Sequence, residues 1–344
     1  MTTTQLGLLM CLGILSCVFV AMLRVPLSRH ALDVPKDRSS HTQATPRGGG
    51  CAIWIAYSIG LAMLMALDHI EMFTFIAFLG AGSLAMLSGL LDDIAKGGIK
   101  AETRLVFHAV AVVWAIAWLG GIEKIHIFGL VWQWGYAEQI FLVLAMIWII
   151  NNTNFMDGLN GLAASETIFV AGTAGLLAWA SGDSMSLLLC AMLVATTAGF
   201  LPWNIGRAKI FLGDSGSYFL GMMIALLALT SVQAGSVSSW CWMILFAVFL
   251  SDGTVTLMRR MMRNPSAWKI PHQSHACQHL YHQWNSHGKV TIAVSVMNVT
   301  TLAPLAIAAW IYPGWDAGIA LATLAVMAIL AVRLGSGAER NYPS

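Results

Sequence analysis

The chain has 344 residues, of which 58% are hydrophobic and only 10% are charged. A soluble domain usually carries about 25% charged residues, so this composition excludes an ordinary soluble protein and predicts an integral membrane protein. The net charge of +2 gives no indication of a nucleic-acid partner, and the six scattered cysteines form no CxxC pair, which predicts neither a disulfide framework nor a zinc knuckle.

Eleven apolar segments are candidates for membrane spans, each of which needs about 20 residues. They are Gln5 to Leu23, Gly49 to Leu67, Met72 to Leu91, Leu105 to Gly120, Gln139 to Ile150, Leu162 to Ala180, Met185 to Leu201, Tyr218 to Val232, Val237 to Leu257, Val290 to Ile311 and Ala317 to Val332. The first has no basic residue before it and no small-residue cleavage site after it, which favours a retained span over a signal peptide. The fifth is short and is expected to extend at both ends.

The distribution of positive charge predicts the orientation. Seventeen of the eighteen Lys and Arg residues fall on one side of an eleven-span arrangement, and only Lys124 falls on the other. Cytoplasmic loops are enriched in Lys and Arg, so we expect the N-terminus outside and the C-terminus in the cytoplasm. Residues 1–344 are interpreted as a single all-α polytopic membrane domain whose active face is formed by cytoplasmic loops. The outer segment Gly121 to Glu138 is expected to hold a small hairpin.

The first cytoplasmic loop runs from Asp33 to Gly50 and combines positive charge with helix-breaking residues. Pro35 and Pro46 forbid a continuous helix, and the final glycine triplet allows close backbone approach. The four potential cations are Lys36, Arg38, His41 and Arg47. Such a loop either satisfies the charge preference and touches lipid headgroups or captures phosphate groups of a substrate.

The third span ends in Asp92 and Asp93. Adjacent helical residues point about 100° apart, so the two carboxylates need not share one ligand. One interpretation is a solvated helix end. The other is a hard divalent cation such as Mg²⁺, which prefers oxygen ligands and substrate phosphates.

In the third loop, Asn151, Asn154 and Asp157 recur every three residues and share one side if the stretch is helical. A simple polar turn is the alternative, because Asn and Asp favour turns. In the fourth loop, Asp214 precedes the eighth span beside small residues. Free backbone amides at that helix start would form an anion site, unless Asp214 or Ser215 only caps the helix.

Histidines are concentrated in the loop after the ninth span. Their spacing predicts one face of a helix that begins near Pro271, formed by His272, His275, His279 and His282. Phosphate contact, a solvated helix face and zinc binding are the alternatives. His108 stands alone in the fourth span and is interpreted as a hydrogen-bonded core residue. Asp252, near the end of the ninth span, needs a partner, for which Arg259 and Arg260 are the nearest candidates.

These clusters all fall on one predicted face and supply metal ligands and phosphate clamps, which favours phosphoryl transfer. A transporter is the competing class, but transporters place ionisable residues near the bilayer midplane, and this chain places them at one surface.

The motifs also resemble those of a known family, the polyprenyl-phosphate N-acetylhexosamine-1-phosphate transferases. Its paired aspartates correspond to Asp92-Asp93, and its NxxNxxDG motif to residues 151–158. Its FxGDxGSxxLG motif corresponds to residues 211–221. The resemblance covers nearly the whole chain and is greatest to members that initiate O-antigen synthesis on undecaprenyl phosphate.

Two departures from the family pattern matter. Many members carry a second aspartate where this chain has Asn160, which can accept a hydrogen bond from a uracil imide but brings no charge to a metal. The peptidoglycan branch carries consecutive histidines, whereas here they are spread, which counts against a muramoyl-pentapeptide substrate. Initiation of peptidoglycan or teichoic-acid carriers remains the alternative within the family.

The resemblance implies a UDP-N-acetylhexosamine donor, an undecaprenyl phosphate acceptor and Mg²⁺, with Mn²⁺ as a substitute, at the bacterial inner membrane. It is also compatible with a homodimer. We assign Asp214 as the principal metal ligand, with Asp93 and Asn154 in support, and Asp92 to orient or deprotonate the acceptor. Asp157 belongs to the nucleotide or metal shell, and His275 and His279 contact the donor pyrophosphate. The remaining predicted substrate-binding residues are Lys36, Arg38, His41, Arg47, Asn151, Asn160, Lys209 and Ser217.

Overall fold

The structure is a computed structural model that describes residues 1–34, 43–95, 97–122, 125–127, 130–132 and 135–338. Its long apolar segments are helical because a helix satisfies all of its backbone hydrogen bonds internally, as lipid requires. The α-helices are α1 (Thr3–His30), α2 (Gly50–Ala66), α3 (Met72–Ile94), α4 (Ala101–Leu119), α5 (Tyr136–Met156), α6 (Leu162–Ala180), α7 (Ser184–Asn204), α8 (Gly213–Gln233), α9 (Ser239–Leu245), α10 (Ala247–Arg263), α11 (Ala276–Trp284), α12 (His287–Met297), α13 (Ala303–Ile311) and α14 (Asp316–Leu334).

Short elements complete the fold. A 3₁₀ turn covers Ala267–Lys269, and a π-helical turn over Asn298–Leu302 joins α12 to α13. Strand β1 (Leu32–Asp33) pairs antiparallel with β2 (Thr45–Pro46), and β3 (Ile125–Ile127) pairs antiparallel with β4 (Leu130–Trp132). The second pair confirms the predicted outer hairpin as a structural element.

The chain is an all-α polytopic membrane protein. Within the described residues, nine helical segments are long and apolar enough to cross a membrane, and the bent pair α9 and α10 brings the number to ten if it counts as one span. Helix α2, with 17 residues, is shorter than these. All eleven predicted segments are helical in the structure, while the number of spans and their orientation stay predictions.

The fifth predicted segment, Gln139 to Ile150, was expected to extend at both ends, and α5 confirms this with 21 residues that continue through Asn151 and Asn154 to Met156. The end of α5 therefore includes polar residues that follow the apolar part of the helix. The ninth predicted segment differs from the structure in form. It was expected to be one span, but α9 and α10 meet at an angle of 77° after Leu245.

Helix α8 lies at the centre of the bundle, where it packs against α3, α5 and α2. Of the 18 most apolar consecutive residues of α8, 89% are buried inside the protein. Glycines permit this close packing. A Cβ atom on Gly50 would lie 1.9 Å from Gly216 Cα, and one on Gly89 would lie 2.2 Å from Asp214 O. The glycine triplet thus allows the close backbone approach that the sequence predicts, and it brings α2 against the start of α8.

Candidate active site

Asp93, on the last turn of α3, holds the start of α8. Its Oδ1 accepts a hydrogen bond from Asp214 N at 3.0 Å, and its Oδ2 accepts from Ser215 N at 3.1 Å and Ser215 Oγ at 2.9 Å. A carboxylate is stabilised there because the first amides of a helix carry partial positive charge. The two amides predicted to be a free anion site are therefore occupied, and neither Asp214 nor Ser215 is the N-cap, which is Leu212.

Asp92 points to a different neighbour from Asp93 and lies within hydrogen-bonding reach of the Asp214 carboxyl group. Its Oδ1 accepts a hydrogen bond from Ile99 N, and its Oδ2 lies 3.8 Å from Arg104 Nη1. The chain can fold back onto Asp92 because Gly98 adopts a φ of +75°, which side chains disfavour. Asp92, although buried, thus sits between an acidic and a basic side chain.

Asn154 connects α5 to the same place. Its Nδ2 donates to Asp214 Oδ1 at 2.7 Å and to Ser217 Oγ at 3.0 Å. Ser217 has no exposed surface, so its hydroxyl supports Asn154 from inside the bundle. Asp92, Asp93, Asp214 and Asn154 therefore meet at one end of the bundle, which we call the polar end.

Asp157 follows α5 as its C-cap residue. Burial and the negative charge of Asp93 raise the pKa of Asp157 well above its ordinary value. None of the hydrogen bonds from described residues ends on its carboxylate. Among Asp92, Asp93, Asp157 and Asp214, which we call the acidic set, Asp157 is therefore the carboxylate with the fewest hydrogen bonds from the described residues.

The acidic set fits a divalent cation of the kind shared with a substrate. No group of three or more His, Cys, Asp or Glu side chains is arranged to hold a metal among the residues that the structure describes. However, Mg²⁺ usually takes only one or two protein carboxylates and completes its shell with water and phosphate oxygens. The carboxyl groups of Asp92 and Asp214 also lie close to each other, so a cation bound beside them would relieve the repulsion between their negative charges.

One further residue at the polar end, Arg104, was missed by the sequence analysis. Arg104 Nη1 lies 3.4 Å from the Tyr218 hydroxyl, which places a permanent cation beside Asp92. The only signal in the sequence was the position of Arg104 one turn into the helix after the acidic pair. His108, one turn further, packs its ring 4.5 Å from that of Tyr218 and lies 3.3 Å from Asn151 Nδ2. Its interpretation as a hydrogen-bonded core residue is confirmed.

The end of the first loop reaches the polar end through backbone pairing. Gly49 N and Gly50 N donate to the carbonyls of Phe211 and Leu212, each at 2.9 Å. Arg47 forms an ion pair with Asp33 at 2.8 Å, and the charges of Asp93 and Asp214 also act on it. The other predicted cations of this loop, Lys36, Arg38 and His41, lie outside the described residues.

The histidine segment does not form the predicted four-residue stripe. Helix α11 begins at Ala276, not near Pro271, and His275 is its N-cap residue. His272 lies before the helix, with its ring 5.0 Å from that of His275. Burial and the positive charges of His275 and Arg260 lower the pKa of His272 to about 3. Only His279 and His282 lie on the helix, and His279 is 1% exposed.

The histidine segment nevertheless packs against the end of α5. The ring of His275 stacks on Phe155 with centroids 6.3 Å apart. A Cβ atom on Gly158 would lie 2.8 Å from Gln278 Nε2. Phe155 follows Asn154 and Gly158 follows Asp157 in the sequence, so His275 lies beside the segment that carries the acidic site.

Asp252 has partners other than the predicted arginines. Its carboxylate accepts hydrogen bonds from Ala276 N and Ser336 Oγ, among others. Arg259 donates instead to the carbonyl of Ser336, and Arg260 to that of Ile270. The arginines failed as candidates because Arg259 and Arg260 lie about two helical turns from Asp252 along α10, so their side chains meet other backbone carbonyls.

Three predicted substrate-binding residues have contacts apart from the acidic set. Asn151 Nδ2 donates to Ile147 O within its own helix at 2.8 Å. Lys209 is exposed and lies 5.3 Å from the ring centroid of Trp203. Asn160 Nδ2 donates to Gly206 O at 2.8 Å. The side chain of Asn160 also lines a pocket of about 240 Å³, together with Arg207, Tyr281 and His287.

A polytopic helical bundle with carboxylates, an amide and an arginine gathered at one end defines a membrane enzyme suited to phosphate chemistry. Comparison with known proteins agrees with that class. Residues 75–232 match the model of glycosyl transferase family 4. The chain is 30% identical over 259 residues to a probable undecaprenyl-phosphate N-acetylglucosaminyl 1-phosphate transferase of Bacillus subtilis, covering 73% of this chain and 70% of that protein. The chain belongs to glycosyl transferase family 4.

In two further relatives the matched region is a smaller share of the relative's length. A decaprenyl-phosphate N-acetylglucosaminephosphotransferase of Mycolicibacterium smegmatis is 33% identical over 232 residues, which are 60% of this chain and 54% of the relative. A phospho-N-acetylmuramoyl-pentapeptide-transferase of Moorella thermoacetica is 31% identical over 197 residues, or 54% and 61% of the two chains. The chain thus spans about half of the mycobacterial relative and under two thirds of the Moorella one.

Proposed function

We propose that the protein transfers an N-acetylated hexosamine 1-phosphate from a UDP-sugar to undecaprenyl phosphate, as the first membrane step of O-antigen or related surface polysaccharide synthesis. The products are undecaprenyl-pyrophosphoryl sugar and UMP. The observation that carries the proposal is the convergence of Asp92, Asp93, Asp214 and Asn154 at one end of a bundle of this family. The positive-inside pattern supports a cytoplasmic site in the inner membrane of a bacterium.

In the proposed reaction, an oxygen of the lipid phosphate attacks the β-phosphorus of the donor. A new P–O bond forms there, and the bond from that phosphorus to the oxygen shared with UMP breaks. A phosphate monoester has a second pKa near 6, so the nucleophile is largely ionised at neutral pH without a strong base. Asp92 therefore serves to orient the acceptor or to take its last proton, and Arg104 lies close enough to Asp92 to attract the incoming phosphate.

The harder problem is to bring two anions together. Asp214 and Asp92, with Asp157 nearby, are the residues that would hold Mg²⁺, which supplies neutralisation of phosphate charge when bound. Asp92 replaces Asp93 and Asn154, the supporting ligands predicted from the sequence. The reason is that Asp93 accepts hydrogen bonds from α8 and the amide of Asn154 donates to Asp214. Asp93 keeps the first turn of α8 in place, and Asn154 orients the Asp214 carboxylate. His275 and the loop cations Lys36, Arg38, His41 and Arg47 are proposed to contact the phosphates from the other side.

A second candidate is a muramoyl-pentapeptide donor, which the Moorella relative's name supports. The spread histidines oppose it, because the peptidoglycan branch is expected to carry them consecutively. One experiment decides between the donors. Purified protein is given a panel of UDP-N-acetylsugars and UDP-N-acetylmuramoyl-pentapeptide, with radiolabelled polyprenyl phosphate and Mg²⁺. The proposal predicts that one N-acetylhexosamine donor gives UMP and a labelled lipid-pyrophosphoryl sugar. It predicts no UMP when the lipid is left out. UMP release with only the pentapeptide donor, or with none, would overturn it.

A further inference from the structure

Asp252 is a buried carboxylate on α10 that the proposed reaction does not use. It is 3% exposed and accepts hydrogen bonds from four donors. Two of them come from the start of α11, Ala276 N at 3.0 Å and Cys277 N at 3.4 Å. The other two are hydroxyls, Thr256 Oγ1 at 3.1 Å and Ser336 Oγ at 2.6 Å. Asp252 therefore links three separate parts of the chain.

His275 belongs to the same group, since its Nδ1 lies 3.5 Å from Asp252 Oδ1. Both side chains are almost completely buried. A buried charge is costly unless hydrogen bonds compensate it, and the four donors supply that compensation. Three of the four donors bond to Oδ1, and Cys277 N faces Oδ2. An amide at position 252 would place an NH₂ group against one of these donors and would remove the negative charge beside His275.

The turn after α14, residues 335–337, completes the support. Gly337 N donates to Ser274 O at 2.6 Å, directly before His275. Arg259 donates to the carbonyl of Ser336, and Arg263 donates to that of Gly337. The turn is thus held by α10 on one side and holds the histidine segment on the other.

The histidine segment that Asp252 and the turn support lies against the end of α5, which carries part of the acidic site. The ring of His275 stacks on Phe155, and Gln278 lies against Gly158. These contacts flank Asn154 and Asp157. A shift of the start of α11 would therefore move His275 relative to both residues.

We propose that Asp252 is a positioning residue that, with Ser336 of the C-terminal turn, fixes His275 against the end of α5 for contact with the donor diphosphate. It acts through His275 and touches no substrate. The role in donor contact rests on the proposed function, whereas the structural link between Asp252 and the histidine segment does not.

The link is tested by amide hydrogen exchange on the full-length protein in detergent, without substrate. In Asp252→Asn, exchange of the peptide covering residues 274–279 is expected to be about ten- to hundred-fold faster than in the unaltered protein, since hydrogen bonds to a charged group are lost. The matched control is Asp183→Asn at the opposite end, where Asp183 accepts from Ser186 N and Ser236 Oγ. Unchanged exchange at 274–279, or equal acceleration in the control, overturns the proposal.

Kinetics then tests the role in donor contact. Asp252→Asn is expected to raise the KM for the UDP-sugar about ten-fold while the KM for the lipid changes less than two-fold. Combining it with His275→Ala should add little to the effect of His275→Ala alone, because both changes remove one interaction. Additive effects, or equal changes in both KM values, would contradict the inference.

Two controls keep the outcomes separate. If Asp252→Asn does not fold, Ser336→Ala removes one hydroxyl and should show the same pattern with a smaller amplitude. If the unaltered protein releases no UMP with any donor, the proposed function and the donor role fail together. The exchange measurement then decides alone whether Asp252 holds the segment.

Discussion

Asp214 receives a hydrogen bond from Asn154 and lies beside Asp92, and it is the residue that we propose as the principal metal ligand. We expect Asp214→Asn to lower the rate of UMP release by at least about a hundred-fold, the scale of losing one preorganised electrostatic contact. The replacement is nearly isosteric, so the unfolding temperature should stay within a few degrees. Near-normal turnover in Mg²⁺ would contradict the role of Asp214, and Asp183→Asn provides a control with full activity.

Glu166 and Asn298 form a buried pair on α6 and the π-helical turn, with Asn298 Nδ2 at 2.6 Å from Glu166 Oε2. Glu166 Oε1 and Asn298 Oδ1 are both buried and have no hydrogen-bond partner in the part of the chain that the structure describes. One proton on the carboxyl group would let it donate to the amide oxygen, so we infer that Glu166 is neutral in the native protein.

This inference predicts the behaviour of two substitutions. Glu166→Gln should leave the unfolding temperature almost unchanged, because it replaces a neutral acid by a neutral amide. Glu166→Ala should cost about 1–3 kcal/mol, because it leaves the buried Asn298 amide unsatisfied. Chemical denaturation in detergent micelles measures both. If Gln is as destabilising as Ala, the carboxyl group is charged in the native state.

At the level of elements, the crossing of α2 and α8 depends on two glycines. We expect Gly50→Ala to destabilise the protein by about 1–3 kcal/mol or more, because its Cβ would lie 1.9 Å from Gly216 Cα and the neighbouring backbone would have to move. Gly7→Ala is the matched control, since nothing lies within 4 Å of its added Cβ. It should be neutral or stabilising, as alanine favours helix. Equal unfolding temperatures for the two variants would show that the crossing adapts.

The sequence predicted the helical segments well and their ends poorly. Hydropathy located every long helix, because lipid and protein interior both select apolar residues. It predicted that α5 extends beyond its apolar residues but not how far, because the polar end of that helix is held by Asp214 and Ser217 of another helix. It failed at α9 and α10, where continuous apolar residues conceal a bend of 77°. Both features depend on contacts between segments distant in sequence.

The same limit applied to the site. The acidic residues were predicted to meet because all lay in loops on one side. Arg104 was missed because a single arginine has no local pattern. Asp252 was expected to have a partner, but its partners Ala276 and Ser336 are distant in sequence and were not predicted. The cap that Asp93 provides for α8 could not be predicted, since a side chain that caps a helix is normally sought within one turn of it.

For the whole molecule, the charge pattern predicts that the polar end lies on the cytoplasmic side of the membrane. Arg207 is exposed beside the polar end, and Asp68 is exposed in the turn between α2 and α3 at the other end. Single cysteines at these positions, in a background without the natural cysteines, should react differently with a membrane-impermeant maleimide in intact cells. We expect labelling at position 68 and protection at 207 until the membrane is opened. The reverse pattern would invert the topology and place the acidic site outside the cell.

The cap on α8 has a consequence for how the protein is made. Asp93 and the Asp214 amide that it accepts from are 121 residues apart, and Asp93 is synthesised first. When the first turn of α8 is synthesised, Asp93 is already present at the end of α3 and can accept hydrogen bonds from the amides of that turn. We therefore expect that these amides need not enter the bilayer without a hydrogen-bond partner. A circular permutant that produced α8 before α3 would reverse that order, and it should depend more heavily on the insertion machinery to reach the same native state.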